Sequence, residues 1–140
     1  MGLKAYYLGD TSALARASRP AVAAKLDPLI EAGLVARCTP TDLEAGYSST
    51  DPASHRRMRD ARSSWPFVPM AQSALDRAVE VQDALAARSQ QRGAKLADLL
   101  IAAAAEAADL VVLHYDHDFD LIAEVTAQRT EWIVPAGTVP

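Results

Sequence analysis

Four acids far apart in the chain carry chemistry worth weighing first: Asp10, Glu44, Asp98 and Asp116. They sit in Leu8-Gly9-Asp10-Thr11-Ser12-Ala13-Leu14, Thr41-Asp42-Leu43-Glu44, Asp98-Leu99-Leu100-Ile101-Ala102-Ala103 and His114-Tyr115-Asp116-His117-Asp118-Phe119. Two carboxylates about 4 Å apart repel by roughly 4 kcal/mol at an effective dielectric near 20, so four in one cleft demand protonation or a bridging cation. Oxygen donors without a His or Cys cluster suit hard octahedral Mg2+ or Mn2+ and disfavour zinc. An ion held this way can activate water against a phosphodiester and steady the leaving oxygen without any nucleophilic side chain.

Each acid also has a duller use. Asp10 could cap the helix after it, and Glu44 could close a capping box opened by Thr41. Asp98 could answer a helix dipole and pair with Lys95 at i, i+3, and Asp116 could be another cap. Other acidic chemistries fit worse. The run from Asp116 to Asp120 imitates the start of an EF-hand loop, but its sixth and twelfth positions hold Leu121 and Ala127 instead of Gly and Glu. There is no Gly-rich loop followed by Lys and Ser or Thr, and Asp10-Thr11-Ser12 lacks the second Asp of a phosphatase DxD motif. A receiver-type phosphotransfer domain would want adjacent acids after the first strand and a late Lys; only Asp10 follows that strand, and no Lys follows Lys95.

The elements that must position these acids follow from hydrophobic period and punctuation. Lys4 to Gly9 reads as a buried strand ending at Asp10. Thr11 to Gly33 reads as helices, with Pro20 opening the second, Gly33 ending it and Pro28 kinking it. Leu34 to Cys38 is a second strand, and Thr41 with Glu44 opens the next helix. Asp51 to Ser64 is a polar helix leading to Trp65 to Met70, at most a short edge strand. Helices follow at Ser73 to Arg92 and Lys95 to Ala108, then an apolar strand at Leu110 to His114, a helix around Leu121 to Val125 and a last strand at Trp132 to Val134. This alternation predicts one three-layer α/β/α domain over residues 1–140 with a mainly parallel sheet. Ligand sites of such sheets lie at the carboxyl ends of the strands, where Asp10 and Asp116 fall.

Composition sets the bounds. The chain has 140 residues, 50% of them hydrophobic and 23% charged, enough for one real core. A single cysteine, Cys38, and no charged-then-apolar leader point to a reducing, cytoplasmic setting. No apolar run approaches the ~20 residues a bilayer needs. Net charge is −4. Setting aside Asp10, Glu44, Asp98, Asp116, Asp118 and Asp120 as cleft acids leaves 12 acids against 14 bases, so the acidic total does not exclude a polyanionic partner. Lys95 and Arg16 are the candidate phosphate contacts nearest the acids. The arginine-rich run Arg56 to Arg62 could contact phosphates or be a solvated helix face. Trp65, Trp132, Tyr6 and Tyr7 are expected to pack within the fold.

Taken together, the four acidic segments, in this order and spacing, resemble the PIN-domain ribonucleases, specifically VapC-type toxins of toxin–antitoxin pairs, over nearly the whole chain. The resemblance implies a PIN-like fold and cleavage of RNA, in tRNA or ribosomal RNA, with Mg2+ or Mn2+. It implies Asp10, Glu44, Asp98 and Asp116 as the acidic quartet, Asp10, Asp98 and Asp116 as metal ligands, Asp118 as an acid acting through water, and Ser12 as a support for Asp10. It also implies a homodimer and a VapB-type antitoxin, for which helices at Thr11 to Gly33 and Asp51 to Ser64 could form a groove. A protein that binds RNA and blocks translation without cutting is the alternative. His114-Tyr115 departs from the Thr-Arg or similar pair common in the family.

Overall fold

In a computed structural model, residues 5–140 are described, so the expected strand start at Lys4 lies outside the described residues. The order is β1 (Tyr7–Gly9), α1 (Thr11–Leu14), α2 (Pro20–Glu31), β2 (Val35–Ala36), α3 (Thr39–Tyr47), α4 (Pro52–Arg62), α5 (Gln72–Ala86), α6 (Leu96–Ala107), β3 (Val111–His114), α7 (Asp118–Thr126) and β4 (Thr130–Trp132). The strands form one sheet ordered β2-β1-β3-β4, with every pairing parallel. Parallel neighbours need crossovers, and helices supply them.

Two apolar clusters flank the sheet. One gathers Leu8, Val112, Ile101, Leu85, Phe119 and Ile122 with the alanines of α6. The other gathers Val22, Leu26, Val35, Leu113 and Ile133 beneath α1 and α2. Helix α6 buries seven of its twelve residues, which is why its sequence is apolar almost all round. The four residues of β3 are all buried, as expected of a strand covered on both faces.

Several boundaries differ from expectation for local reasons. Helix α3 begins at Thr39, with Cys38 at the N-cap; Thr41 stands at the third helical position, where its hydroxyl accepts from Cys38 N at 3.0 Å. Thr41 is therefore the third-position partner in a capping box that Cys38 opens, not the residue that opens one, and Glu44 is free of that box. Helix α2 continues through Pro28 in its last turn: the ring removes the N–H that would bond Ala24 O, while Pro28 O still accepts from Ala32 N at 3.0 Å. The prolines of Trp65 to Met70 leave only an isolated bridge, Arg37 to Phe67. Helix α5 stops at Ala86, short of Arg92, and α7 begins three residues earlier than expected, with Asp118 and Asp120 in its first turn.

Candidate active site

The parallel register brings the first and third strands to a common edge. Gly9 pairs with Leu113, and Asp10 N donates to Leu113 O at 2.9 Å, so Asp10 leaves the sheet beside the segment that ends in Asp116. A side chain at Gly9 would bring its Cβ to 2.9 Å from Val35 Cγ1, so the close approach of β1 and β2 here needs glycine.

Asp10 is the N-cap of α1 and is 2% exposed. Its Oδ2 accepts from Ser12 N at 2.9 Å and Ser12 Oγ at 2.5 Å. Ser12 Oγ in turn accepts from Tyr115 N at 2.8 Å, which ties the β1 edge to the β3 edge. Asp10 Oδ1 is buried and has no hydrogen-bond partner. One oxygen of this carboxylate thus caps the helix while the other is left without a partner. Burial pushes the Asp10 carboxyl above the usual range; the bonds from Ser12 pull it back, and the charges of Glu44 and Asp116 add to the rise.

Asp98 lies in the first turn of α6 and is 4% exposed. Its Oδ2 is also buried without a hydrogen bond; the ammonium of Lys95 is 3.5 Å away. Burial raises the Asp98 carboxyl to about 8, helped by its hydrogen bond with Asp118 and the charge of Asp10. Asp118 is held below its usual range: burial opposes this, but the hydrogen bonds from Asp98 and Lys95 prevail. Oxygens of Asp98, Asp116 and Asp118 lie within 4.8 Å of one another. Asp10 and Glu44 stand outside that trio, yet Asp10 is near enough to Asp98, Asp116 and Glu44 to perturb or be perturbed by their charges. Glu44 Oε1 accepts from Thr11 Oγ1 at 2.7 Å, which fixes it at the mouth.

Lys95 closes the cluster. Its Nζ donates to Asp116 Oδ2 and Asp118 Oδ2, each at 2.9 Å, and these bonds raise its pKa. Arg16 stands apart from the acids: it donates to Ser12 O at 2.6 Å and Pro140 O at 3.0 Å and stacks on Tyr115 at 4.5 Å. His114 is wholly buried between Phe119 and Trp132, accepts from Asp116 N at Nδ1, and is pushed down to about 4 by burial. It is a neutral prop for the Asp116 turn.

The PIN-domain family model matches residues 7–125, spanning β1 through α7 and every acid described above. The chain belongs to the PIN-domain family.

Among similar proteins, Ribonuclease VapC51 of Mycobacterium tuberculosis (strain ATCC 25618 / H37Rv) is 55% identical over 139 residues, covering 99% of each chain. Ribonuclease VapC21 of the same organism is 44% identical over 133 residues, covering 94% of this chain and 96% of that one. The fold is similar to a chain in the crystal structure of DNA-bound VapBC from Salmonella typhimurium, with a TM-score of 0.74 at 15% identity, covering 93% of this chain and 99% of that one.

Two features of this PIN domain escaped the sequence reading. One is the Thr11 hydroxyl on Glu44; a hydroxyl directly after a strand-end acid was the available signal. The other is Tyr47, 92% exposed one turn beyond Glu44. Helix α4 buries only Arg62 and carries none of the exposed large hydrophobics among the described residues. No helix among the described residues is long and apolar enough to cross a membrane.

Proposed function

We propose that this PIN domain is a cytoplasmic Mg2+-dependent endoribonuclease of the VapC type that cuts tRNA or ribosomal RNA and is restrained by a VapB-type antitoxin. The observation that carries the reading is the trio of carboxylate oxygens at Asp98, Asp116 and Asp118 beside the buried, unpartnered Asp10 Oδ1 and Asp98 Oδ2. Five acids with oxygen donors alone and two orphaned buried oxygens fit Mg2+, with Mn2+ as its substitute. Zinc fits poorly, since His114 is spent on the Asp116 turn.

Asp10, Asp98 and Asp116 are the residues that would hold the ion, with Asp118 beside them. When bound, the ion would supply Lewis acidity to the phosphoryl group and lower the pKa of water so that it can give up a proton and attack phosphorus. The protein does the rest. Ser12 locks Asp10 in one rotamer through its backbone and hydroxyl bonds, so Oδ1 faces the cleft without reorganisation. Glu44, held by Thr11, is the acid placed at the mouth to take a proton from the attacking water. Lys95 is the preferred phosphate contact, because its ammonium already sits among the acids; Arg16 supports from behind through Ser12. In-line attack by water leaves a 5′-phosphate.

The relatives named ribonuclease, 55% and 44% identical over nearly the whole chain, support RNA as substrate. Solved neighbours described as VapBC complexes support an antitoxin partner. An apolar recess of about 470 Å3 between α3, α5 and α6, lined by Pro40, Leu43, Met70, Leu75 and Leu100, supports a protein partner or a homodimer.

The test is sequencing of RNA ends after expression of the wild type and Asp98→Ala in the same cells. New 5′-phosphate ends confined to the wild type support the enzyme. Arrested translation with no new ends in either would favour a binder that blocks translation without cutting.

A further inference from the structure

Glu44 and Tyr47, one turn apart on α3, line a single recess of about 460 Å3 together with Thr11, Leu43 and Ser48. Tyr7, Tyr115 and Trp132 pack within the fold, as aromatic rings usually do. Tyr47 instead stands 92% exposed beside an acid of the cleft.

A second recess, of about 530 Å3, is lined from the next residue along the chain, Ser49, onward. Ser49, Thr50, Asp51, Pro52, His55, Arg56 and Arg59 line it. Its one acid is committed elsewhere: Asp51 Oδ1 accepts from Ser54 N at 2.8 Å as the N-cap of α4. Two of its three bases, Arg59 and His55, are held in place. Arg59 Nη1 donates to Asp42 O at 3.1 Å, and His55 Nδ1 is 2.9 Å from Ser49 Oγ. Gly46 admits both, because a Cβ there would lie 2.9 Å from Arg59 Nη2 and 3.1 Å from His55 Cε1. The surface therefore runs from Thr11 and Glu44 to an exposed ring and then to a basic pocket.

Single-stranded nucleic acid is bound in general by this pairing of an aromatic platform and a basic groove. The cleft gains from such a neighbour, because its acids repel phosphates and Lys95 is, among the described residues, the single cation paired with them. A base can stack on a ring only when splayed out of a helix, which selects single strands over duplex.

We infer that the α3–α4 surface is the track for single-stranded RNA beside the cut bond, with one base stacked on Tyr47 and the neighbouring phosphates held by Arg56 and Arg59. This rests on the ribonuclease reading and specifies how its substrate is held.

The experiment uses the full chain with Asp10→Asn, which stops cleavage, and a fluorescein-labelled single-stranded RNA of mixed sequence, about 12 nucleotides long, within the usual span of such sites. Binding is read by anisotropy across a salt series, particle mass by light scattering, and cutting of the same RNA by the wild type with Mn2+. Adding Tyr47→Ala should weaken binding about tenfold, while Tyr47→Phe should restore it. Arg56→Gln should lower the salt slope by about 0.7, the loss expected for one single-strand phosphate contact. Both residues are exposed, so the fold should survive. Unchanged affinity and slope, with the wild type still cutting, would overturn the track alone. So would a Tyr47→Ala effect on particle mass instead of RNA affinity, which would make this face a contact between copies. No binding and no cutting would overturn the track together with the ribonuclease reading.

Discussion

The ammonium of Lys95 lies 2.9 Å from Asp116 Oδ2, in the middle of the carboxylates that would otherwise face one another unscreened. It also contacts Asp118 at 2.9 Å and Asp98 at 3.5 Å. A protein cation thus partly solves the repulsion that a divalent ion would solve fully, and the two compete for the same oxygens. The Lys95 side chain is 66% exposed, so each ion pair is weakened by solvent screening.

Lys95→Met keeps the apolar stem and removes the charge. Calorimetric titration should show Mn2+ binding tightened by roughly three- to tenfold, a modest gain because the lost pairs are solvent-screened. RNA cleavage at saturating Mn2+ should fall, since the phosphate contact is gone. Weaker Mn2+ binding in this variant would mean that Lys95 supports the site instead of competing for it.

Ser12→Ala removes the hydroxyl that joins Asp10 Oδ2 to Tyr115 N. Loss of a supporting hydrogen bond behind a metal ligand typically costs 10–100-fold in affinity, and a loss of about that size is expected for Mn2+. Circular dichroism should be unchanged. Ser12→Thr, which retains the hydroxyl, should recover most of the binding.

Asp98, raised to about 8 chiefly by burial, gives two linked expectations. At neutral pH the metal-free carboxyl is largely protonated, so metal uptake must release a proton, and Mn2+ affinity should climb as pH rises towards 8 and then level off. Stability should move the other way. A carboxyl whose folded pKa exceeds its unfolded value near 3.8 stabilises the fold below that value and loses the contribution as pH rises through the folded pKa. The metal-free melting temperature should therefore decline between about pH 4 and pH 8. Asp98→Asn, which cannot ionise, should melt roughly 3–8 °C above the wild type at pH 8 without metal, a gain of about 1–2 kcal/mol. A wild type and variant that melt together at pH 8 would refute this account of the Asp98 environment.

The sequence disclosed the sheet and its acids because their signals are local. A fully apolar β3 and an alanine-rich α6 announce burial on both sides, and Asp10 and Asp116 directly follow strands whose carboxyl ends must share an edge. Thr41 misled because the residue that opens a capping box and the one that closes it can be of the same type; only the Cys38 backbone settles that Thr41 closes the box. Which acids would meet most closely was not legible either. Asp118 joins Asp98 and Asp116 because the turn folded by Asp116 Oδ1 on Asp118 N swings it inward, and that turn depends on His114 behind it. The isolation of Tyr47 was also hidden, since exposure of one face of α3 depends on what α1, α4 and α6 leave uncovered.

Calorimetric titration of Mn2+ into the purified protein after chelation, beside Asp98→Asn, tests the central claim most directly. Saturable uptake by the wild type, lost in the variant and not restored there by raising pH above about 8, is the predicted result. Equal uptake by both proteins, or none by the wild type at any pH, would contradict an acid cleft built to hold a divalent ion.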